Sequence, residues 1–340
     1  EKLKEDGYQG QYLIDLAMDL VQEYGSKFLE MHRENAIDQV GLIALDKMIE
    51  NIKTDLADIG VKFDSWFNES ALFSGGQYQL VVDLLGRKDY TVEHDGALWF
   101  TSTALGEDKD NVLVRSNGQP TYFASDVAYH YDKFNARKFD QVIDVWGADH
   151  QGHVSRMKAV MSALDIDPAK LTILITQLVT LKKGNETVRA SKRTGELITL
   201  RELITEVGSD ACRYFFLSRA AESQMEFDME LAIKQSAENP VYYIQYAHAR
   251  IAGILRQARE RGIDWSSADL NLLTHVAETT LVRKMLQLPE VIETSAQKLT
   301  PQSLVRYSTE LAAAFHWFYD NCRVISDSEK DEGLVLTKAR

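Results

Sequence analysis

Two short apolar runs constrain this chain most. Gln141-Val142-Ile143-Asp144-Val145-Trp146-Gly147 and Leu171-Thr172-Ile173-Leu174-Ile175-Thr176 bracket a segment whose Val154, Met157, Val160, Met161 and Leu164 fall on one helical face. Strand, helix, strand is the pattern of a parallel sheet, and both runs read as buried strands. In open sheets of this kind, ligands bind beyond the carboxyl ends of the strands, where glycine turns and helix N-termini converge. Gly147 therefore marks an edge where chemistry is expected.

The flanking regions read differently. Tyr12, Leu13, Leu16, Leu20 and Val21, then Leu42, Leu45, Ile49, Ile52 and Leu56, fall near helical spacing, and an extended Val61–Phe67 stretch follows the stop at Gly60. Ala97–Phe100 and Asn111–Arg115 are strand-like, and Asn117-Gly118 is a hairpin signal. Beyond residue 236 the strand signal fades, and long amphipathic helices fit Pro240–Arg261, Asn271–Gln287 and Pro301–Arg323, punctuated by Pro289 and Pro301. The expected architecture is α/β followed by all-α: a helical segment 1–75, an α/β segment 76–235 and a helical segment 236–340. A length of 340 residues suits two domains, and 45% hydrophobic residues can form a substantial core. No apolar run approaches the ~18 residues of a membrane span. The opening Glu1–Asp6 does not resemble a signal peptide, and two cysteines form neither a disulfide framework nor a zinc site. A reducing cytoplasm is the expected location.

Charge argues against an obvious nucleic-acid binder. The chain holds 38 Lys and Arg against 51 Asp and Glu, a net −13. Residues 182–261 are the exception, with 13 Lys and Arg against 11 Asp and Glu. They offer the material for a basic face within an otherwise acidic, soluble chain.

Four stretches carry candidate chemistry. Gly147-Ala148-Asp149-His150-Gln151-Gly152-His153 follows the first strand. There Gly147 permits close approach of a ligand, Asp149 can accept from ribose hydroxyls or merely cap a helix, and His153 faces the ligand from the first helical turn. Arg189-Ala190-Ser191-Lys192-Arg193-Thr194-Gly195 gathers cations and hydroxyls, suiting either a triphosphate or a solvated turn. In Pro120-Thr121-Tyr122-Phe123-Ala124-Ser125-Asp126, Tyr122 and Asp126 share a helical face if the helix starts early, and make a pocket for a guanidinium or ammonium. The bland alternative makes Ser125 or Asp126 an N-cap and Tyr122 core. In Gly208–Arg219, Ser209 or Asp210 is expected to cap a supporting helix.

In their order, these pieces resemble the arginyl-tRNA synthetase family of class I aminoacyl-tRNA synthetases, bacterial type. The matching residues are Asp95-Gly96-Ala97-Leu98-Trp99-Phe100, Arg115-Ser116-Asn117-Gly118-Gln119-Pro120-Thr121-Tyr122, Trp146-Gly147-Ala148-Asp149-His150, the KMSK-type Arg189-Ala190-Ser191-Lys192-Arg193, and Glu238-Asn239-Pro240-Val241-Tyr242-Tyr243 through Arg250. The resemblance implies a Rossmann-like catalytic domain with a helical insertion, then a helical-bundle anticodon-binding domain. Its implied reaction uses ATP and Mg2+ to convert L-arginine to arginyl-adenylate and pass it to tRNA(Arg). Lys192 and Ser191 would act on the leaving pyrophosphate. Gly147, Asp149, His150 and His153, with Lys192, would hold ATP. Tyr122, Asp126 and alternatively Asp149 would hold arginine, although Asp149 departs from the Gln of some relatives. Tyr246, Arg250 and Trp317 would meet tRNA, among side chains that also include Tyr242, Tyr243, Phe315 and Tyr319, while Arg250, Arg256, Arg259 and Arg261 offer phosphate contacts. No protein metal ligands are implied, and a monomer is expected.

The family's first-half HIGH-type signature is missing from the expected place. His150-Gln151-Gly152-His153 is a decoy for it, because it lies only some forty residues before Lys192. The resemblance thus implies a fragment inactive alone, with the regions around 122, 149 and 192 lining one groove. The alternative is a non-catalytic tRNA- or RNA-binding module derived from a class I synthetase.

Overall fold

The two apolar runs do pair as parallel strands, in a register that sets Val142 opposite Leu171 and Gly147 opposite Thr176. The computed structural model of the protein describes residues 10–184, 186–187, 198–266, 268–326 and 331–340. In chain order the elements are α1 (Gln11–Tyr24), α2 (Arg33–Asp58), α3 (Ser70–Ser74), α4 (Gln77–Arg87), β1 (Thr91–His94), β2 (Ala97–Phe100), β3 (Asn111–Val114), α5 (Tyr122–Tyr131), β4 (Val142–Gly147), α6 (Val154–Ala163), β5 (Leu171–Thr176), β6 (Val179–Lys183), β7 (Glu186–Thr187), α7 (Leu200–Val207), α8 (Ser209–Leu217), β8 (Met225–Asp228), α9 (Met229–Ile233), α10 (Pro240–Glu260), α11 (Val276–Leu286), α12 (Leu288–Lys298), α13 (Gln302–Asn321) and α14 (Asp331–Ala339). They divide into a smaller unit, residues 63–178 with 221–225, and a larger one, residues 1–62 with 179–220 and 226–340.

In the smaller unit, β1, β2 and β3 form an antiparallel sheet, and β4 and β5 the parallel pair. Gly118, at φ +78, closes the Asn117-Gly118 turn, where a residue with a Cβ would be strained. Arg115 and Gln119 pair across it. The core joins Phe100 and Leu113 of the antiparallel sheet to Phe123, Ala124, Val127 and Ala128 of α5, Met157, Val160 and Met161 of α6, and Val142 and Leu171 of the parallel pair. Only one face of β4 joins this core. Its side chains alternate, so Val142 and Asp144 point inward while Ile143 and Val145 are exposed, Val145 at 65%. The expectation of a fully buried strand is corrected to a half-buried one.

In the larger unit, the order β7-β6-β8 makes a small sheet. Helices α10, α11 and α13 bury Ala247, Ala277, Ala312, Phe315 and Phe318 against one another. Three local expectations are revised. Helix α11 begins at Val276 rather than Asn271, because His275 caps it: its backbone N–H donates to Glu278, and its ring accepts from Ala277 N. A helix beyond the three expected ones, α12, follows the boundary that Pro289 marks, and its first turn tolerates this residue without an N–H. Neither Ser209 nor Asp210 caps α8. Gly208 holds that position, and Asp210 accepts from Gln245 Nε2 at 2.8 Å.

Candidate active site

Helix α5 starts early enough for its two candidate residues to share a face. Thr121 is the N-cap, its hydroxyl accepting from Ala124 N while donating to the Val112 carbonyl at 2.7 Å. The helix start is thereby fastened to β3. Tyr122 and Asp126, four residues apart, stand one above the other. Tyr122 is 72% exposed, and Asp126 is half-buried one turn in. Burial pushes the Asp126 carboxyl above the usual carboxylate range, opposed by His130, Lys133 and His150 and assisted by Glu69. A desolvated acceptor beneath an exposed phenol suits a cationic group more than water does. Ser125 is buried core, so the alternative N-cap reading of Ser125 or Asp126 does not hold.

The second stretch lies at the end of β4. Residues Ala148–His153 form a 3-10 turn leading into α6. Asp149 makes no capping bond; its carboxylate stands free of the protein core at 81% side-chain exposure, 3.6 Å from His150 Nε2. A Cβ at Gly147 would lie 2.6 Å from Asp149 Oδ1, so glycine leaves the room this carboxylate uses. His153 is half-buried, and burial, with Arg156 and His150 nearby, lowers its pKa below 6.5, favouring the neutral ring. Arg156 braces the turn by donating to the Gly152 carbonyl at 3.3 Å and to Asn111 Oδ1 at 2.8 Å.

A series of rings links the later part of α5 to the turn. His130 of α5 stands edge-to-face to Trp146 at 6.3 Å, Trp146 to His150 at 6.2 Å, and His150 to His153 at 5.6 Å. The series runs from beneath Asp126 to the turn. His130 and Asp144 are both buried, at 3% and 7% exposure, and carry no motif of their own in the sequence. One signal was available: Asp126, His130 and Lys133 recur at helical spacing, and Asp144 interrupts an otherwise apolar strand. Arg156 and Asn111 carried no comparable signal. The third stretch, with Ser191 and Lys192, lies outside the described residues.

In the larger unit, the Arg250 guanidinium is held between the rings of Tyr246 and Tyr319, with centroids at 4.3 and 4.4 Å, and Tyr242 stacks parallel to Tyr246. Tyr246 and Trp317 are exposed, as are Arg256, Arg259 and Arg261. Phe315 is core, which removes it from the candidate RNA-facing aromatics; its helix face points at α10 and α11.

Residues 31–252 match the family model described as tRNA synthetases class I (R), catalytic domain, and residues 244–340 match the DALR anticodon binding domain. The chain belongs to the class I arginyl-tRNA synthetase family. An arginine–tRNA ligase of Dehalococcoides mccartyi is 58% identical over 324 residues, covering 95% of this chain and 58% of the relative. One from Carboxydothermus hydrogenoformans is 48% identical over 339 residues, covering 99% and 60%. The chain thus spans about three fifths of the length of the curated relatives it matches. A crystal structure from Campylobacter jejuni, described as of an arginyl-tRNA synthetase, superposes with a TM-score of 0.88 at 32% identity, covering all of this chain and 73% of that one. A Mycobacterium tuberculosis methionyl-tRNA synthetase shares the fold, with a TM-score of 0.64 at 10% identity over 98% of this chain and 85% of that one. The synthetase family accounts for both architectures: a Rossmann-like α/β catalytic part and a helical DALR part. No helix among the described residues is long and apolar enough to cross a membrane.

Proposed function

We propose that this chain supplies the second part of a cytoplasmic arginine–tRNA ligase, divided along the sequence as 1–75, 76–235 and 236–340. In that reading, ATP and L-arginine yield arginyl-adenylate and pyrophosphate, and the arginyl group passes to the terminal adenosine of tRNA(Arg). The observation that carries it is the Tyr122–Asp126 pair, a phenol and a half-buried carboxylate on one face of α5, whose later part a series of rings links to the glycine turn after β4. Asp126 takes the guanidinium, and Tyr122 flanks it. A desolvated carboxylate left without a cation is penalised, so the pair discriminates against neutral isosteres. Gly147, His150 and His153 take the adenosine, and Asp149 takes either its ribose or the substrate arginine. Lys192 and Ser191 take the pyrophosphate, where fixed positive charge stabilises the leaving group.

Among the described residues no three His, Cys, Asp or Glu groups converge as a metal cage. Mg2+ would be held chiefly by the ATP phosphates, as such sites commonly hold it; when bound it would offset phosphate charge. Tyr246 and Trp317 take unstacked bases of tRNA, and Arg250, already held between two rings, takes phosphate. The 340 residues taken alone are a partial enzyme and carry little adenylate-forming activity.

Thermal unfolding with ligand tests the arginine site. L-arginine is expected to raise the melting temperature, while citrulline, neutral and nearly isosteric, does not, and Asp126→Asn abolishes the difference. Equal responses to the two ligands would refute the assignment.

A further inference from the structure

The polar cluster beneath Asp126 has no role in the reading above. His130 is 3% exposed and Asp144 7%. Burying ionisable groups is costly unless each is partnered, and here each is. His130 Nδ1 lies 2.7 Å from the Asp126 carbonyl oxygen, and Nε2 lies 2.5 Å from Asp144 Oδ2. Lys133 Nζ donates to Asp144 Oδ1 at 2.7 Å and sits 4.4 Å from the Tyr129 ring. A carbonyl and a carboxylate are both acceptors. A neutral imidazole has one N–H, so only the imidazolium satisfies both. The carboxylate of Asp144, facing two donors, is suited to holding that form.

We propose that His130 is a positioning residue for the arginine-binding carboxylate: held as an imidazolium by Asp144, it pins the backbone of Asp126 and supplies positive charge facing its side chain. This rests on the reading that Asp126 takes the guanidinium. The arrangement explains why a cation is buried under a site built for a cation. Without it, the desolvated Asp126 would more readily take a proton and lose its use; with it, the carboxylate stays ionised and oriented. The other charged groups bearing on Asp126 are Lys133 beyond the end of α5, Glu69 ahead of α3 and His150 of the turn after β4. Asp144 is the partner from the strand. Trp146 screens the ring from the turn side.

The test needs no turnover. In the 340-residue chain, nitrogen NMR of the imidazole rings, assigned with His130→Asn, is expected to show N–H protons on both ring nitrogens of His130 at neutral pH. A single N–H would overturn the proposal, whatever any variant does. Carbon NMR of the Asp126 carboxyl is expected to show its titration midpoint moving upward in His130→Gln, and an unmoved midpoint in a folded variant overturns the proposal. Calorimetry with L-arginine at pH 6 is expected to show about tenfold weaker binding in His130→Gln, the size of one lost charge-assisted hydrogen bond. Asp126→Asn is the control that separates the two claims. If it leaves arginine affinity intact, the assignment of Asp126 falls, while the ring N–H protons and the carboxyl midpoint still judge His130.

Discussion

Arg250 donates from Nη2 to the hydroxyl of Tyr246 at 2.8 Å, while its guanidinium also lies over that ring and over Tyr319. Asp320 stands 3.7 Å away. The planar cation is thus preset between two aromatic faces, both rings exposed. Arg250→Ala is expected to weaken tRNA binding by about 1–3 kcal/mol, the range of a lost stacking platform, and to flatten its salt dependence. Arg250→Lys should not rescue, because an ammonium cannot stack as a plane. Filter binding of tRNA(Arg) across a salt series checks this; unchanged affinity in Arg250→Ala would remove this surface from the RNA site.

Arginine affinity should depend on pH through Asp126. Burial raises its pKa, so the carboxylate is ionised above that raised value and protonated below it. Affinity is therefore full at neutral pH and declines as pH falls through a point above 3.8, the ordinary carboxyl value. Removing the charge with Asp126→Asn should cost about 2–3 kcal/mol at neutral pH and abolish the decline. Calorimetric titrations from pH 8 downward give both numbers.

Acid stability should depend on Asp144. Burial works against its charge, yet the hydrogen bonds from His130 and Lys133 prevail and hold its pKa below 3.8. A folded pKa below the unfolded one means that the stabilisation is complete above the unfolded value and is lost as pH falls toward the folded one. Asp144→Ala leaves His130 and Lys133 facing no carboxylate and should destabilise by about 3–5 kcal/mol at neutral pH. Urea denaturation at pH 7 and near pH 3 measures this, and the gap between wild type and variant should narrow in acid.

Both thiols should be inert in the native state. Cys212 and Cys322 are buried, and burial raises the pKa of each, so little thiolate is present at neutral pH. Iodoacetamide is expected to leave both unmodified in the folded chain and alkylate both in guanidinium. Rapid native labelling at Cys322 would show that the packing of α13 against α10 and α11 opens readily.

Much of the site was legible because its geometry is local. Tyr122 and Asp126 meet through a spacing of four residues, and the βαβ order places Gly147 at a strand end whatever surrounds it. For Asp149 the sequence allows a ribose, a substrate or a capping role, and its exposure without a capping bond removes only the cap. His130 and Asp144 escaped notice because they are fourteen residues apart on different elements, and nothing in either segment shows that the two side chains share one buried space. Phe315 looked as available to RNA as Trp317, since two aromatics on one amphipathic helix differ only in which way the bundle turns them.

By itself the sequence determined periodicity: where strands and helices run, which residues share a face, and the ordered motifs that place the chain among class I arginyl-tRNA synthetases. Those depend on neighbours within a few positions, which the backbone repeats of 2 and 3.6 residues convert directly into faces. Tertiary structure alone decided burial, and with it charge. Whether Val145 meets solvent, whether Asp126 loses water and whether His130 finds two acceptors depend on elements far apart in the chain. Desolvation and hydrogen bonding act over a few ångströms of space, without regard to distance along the sequence.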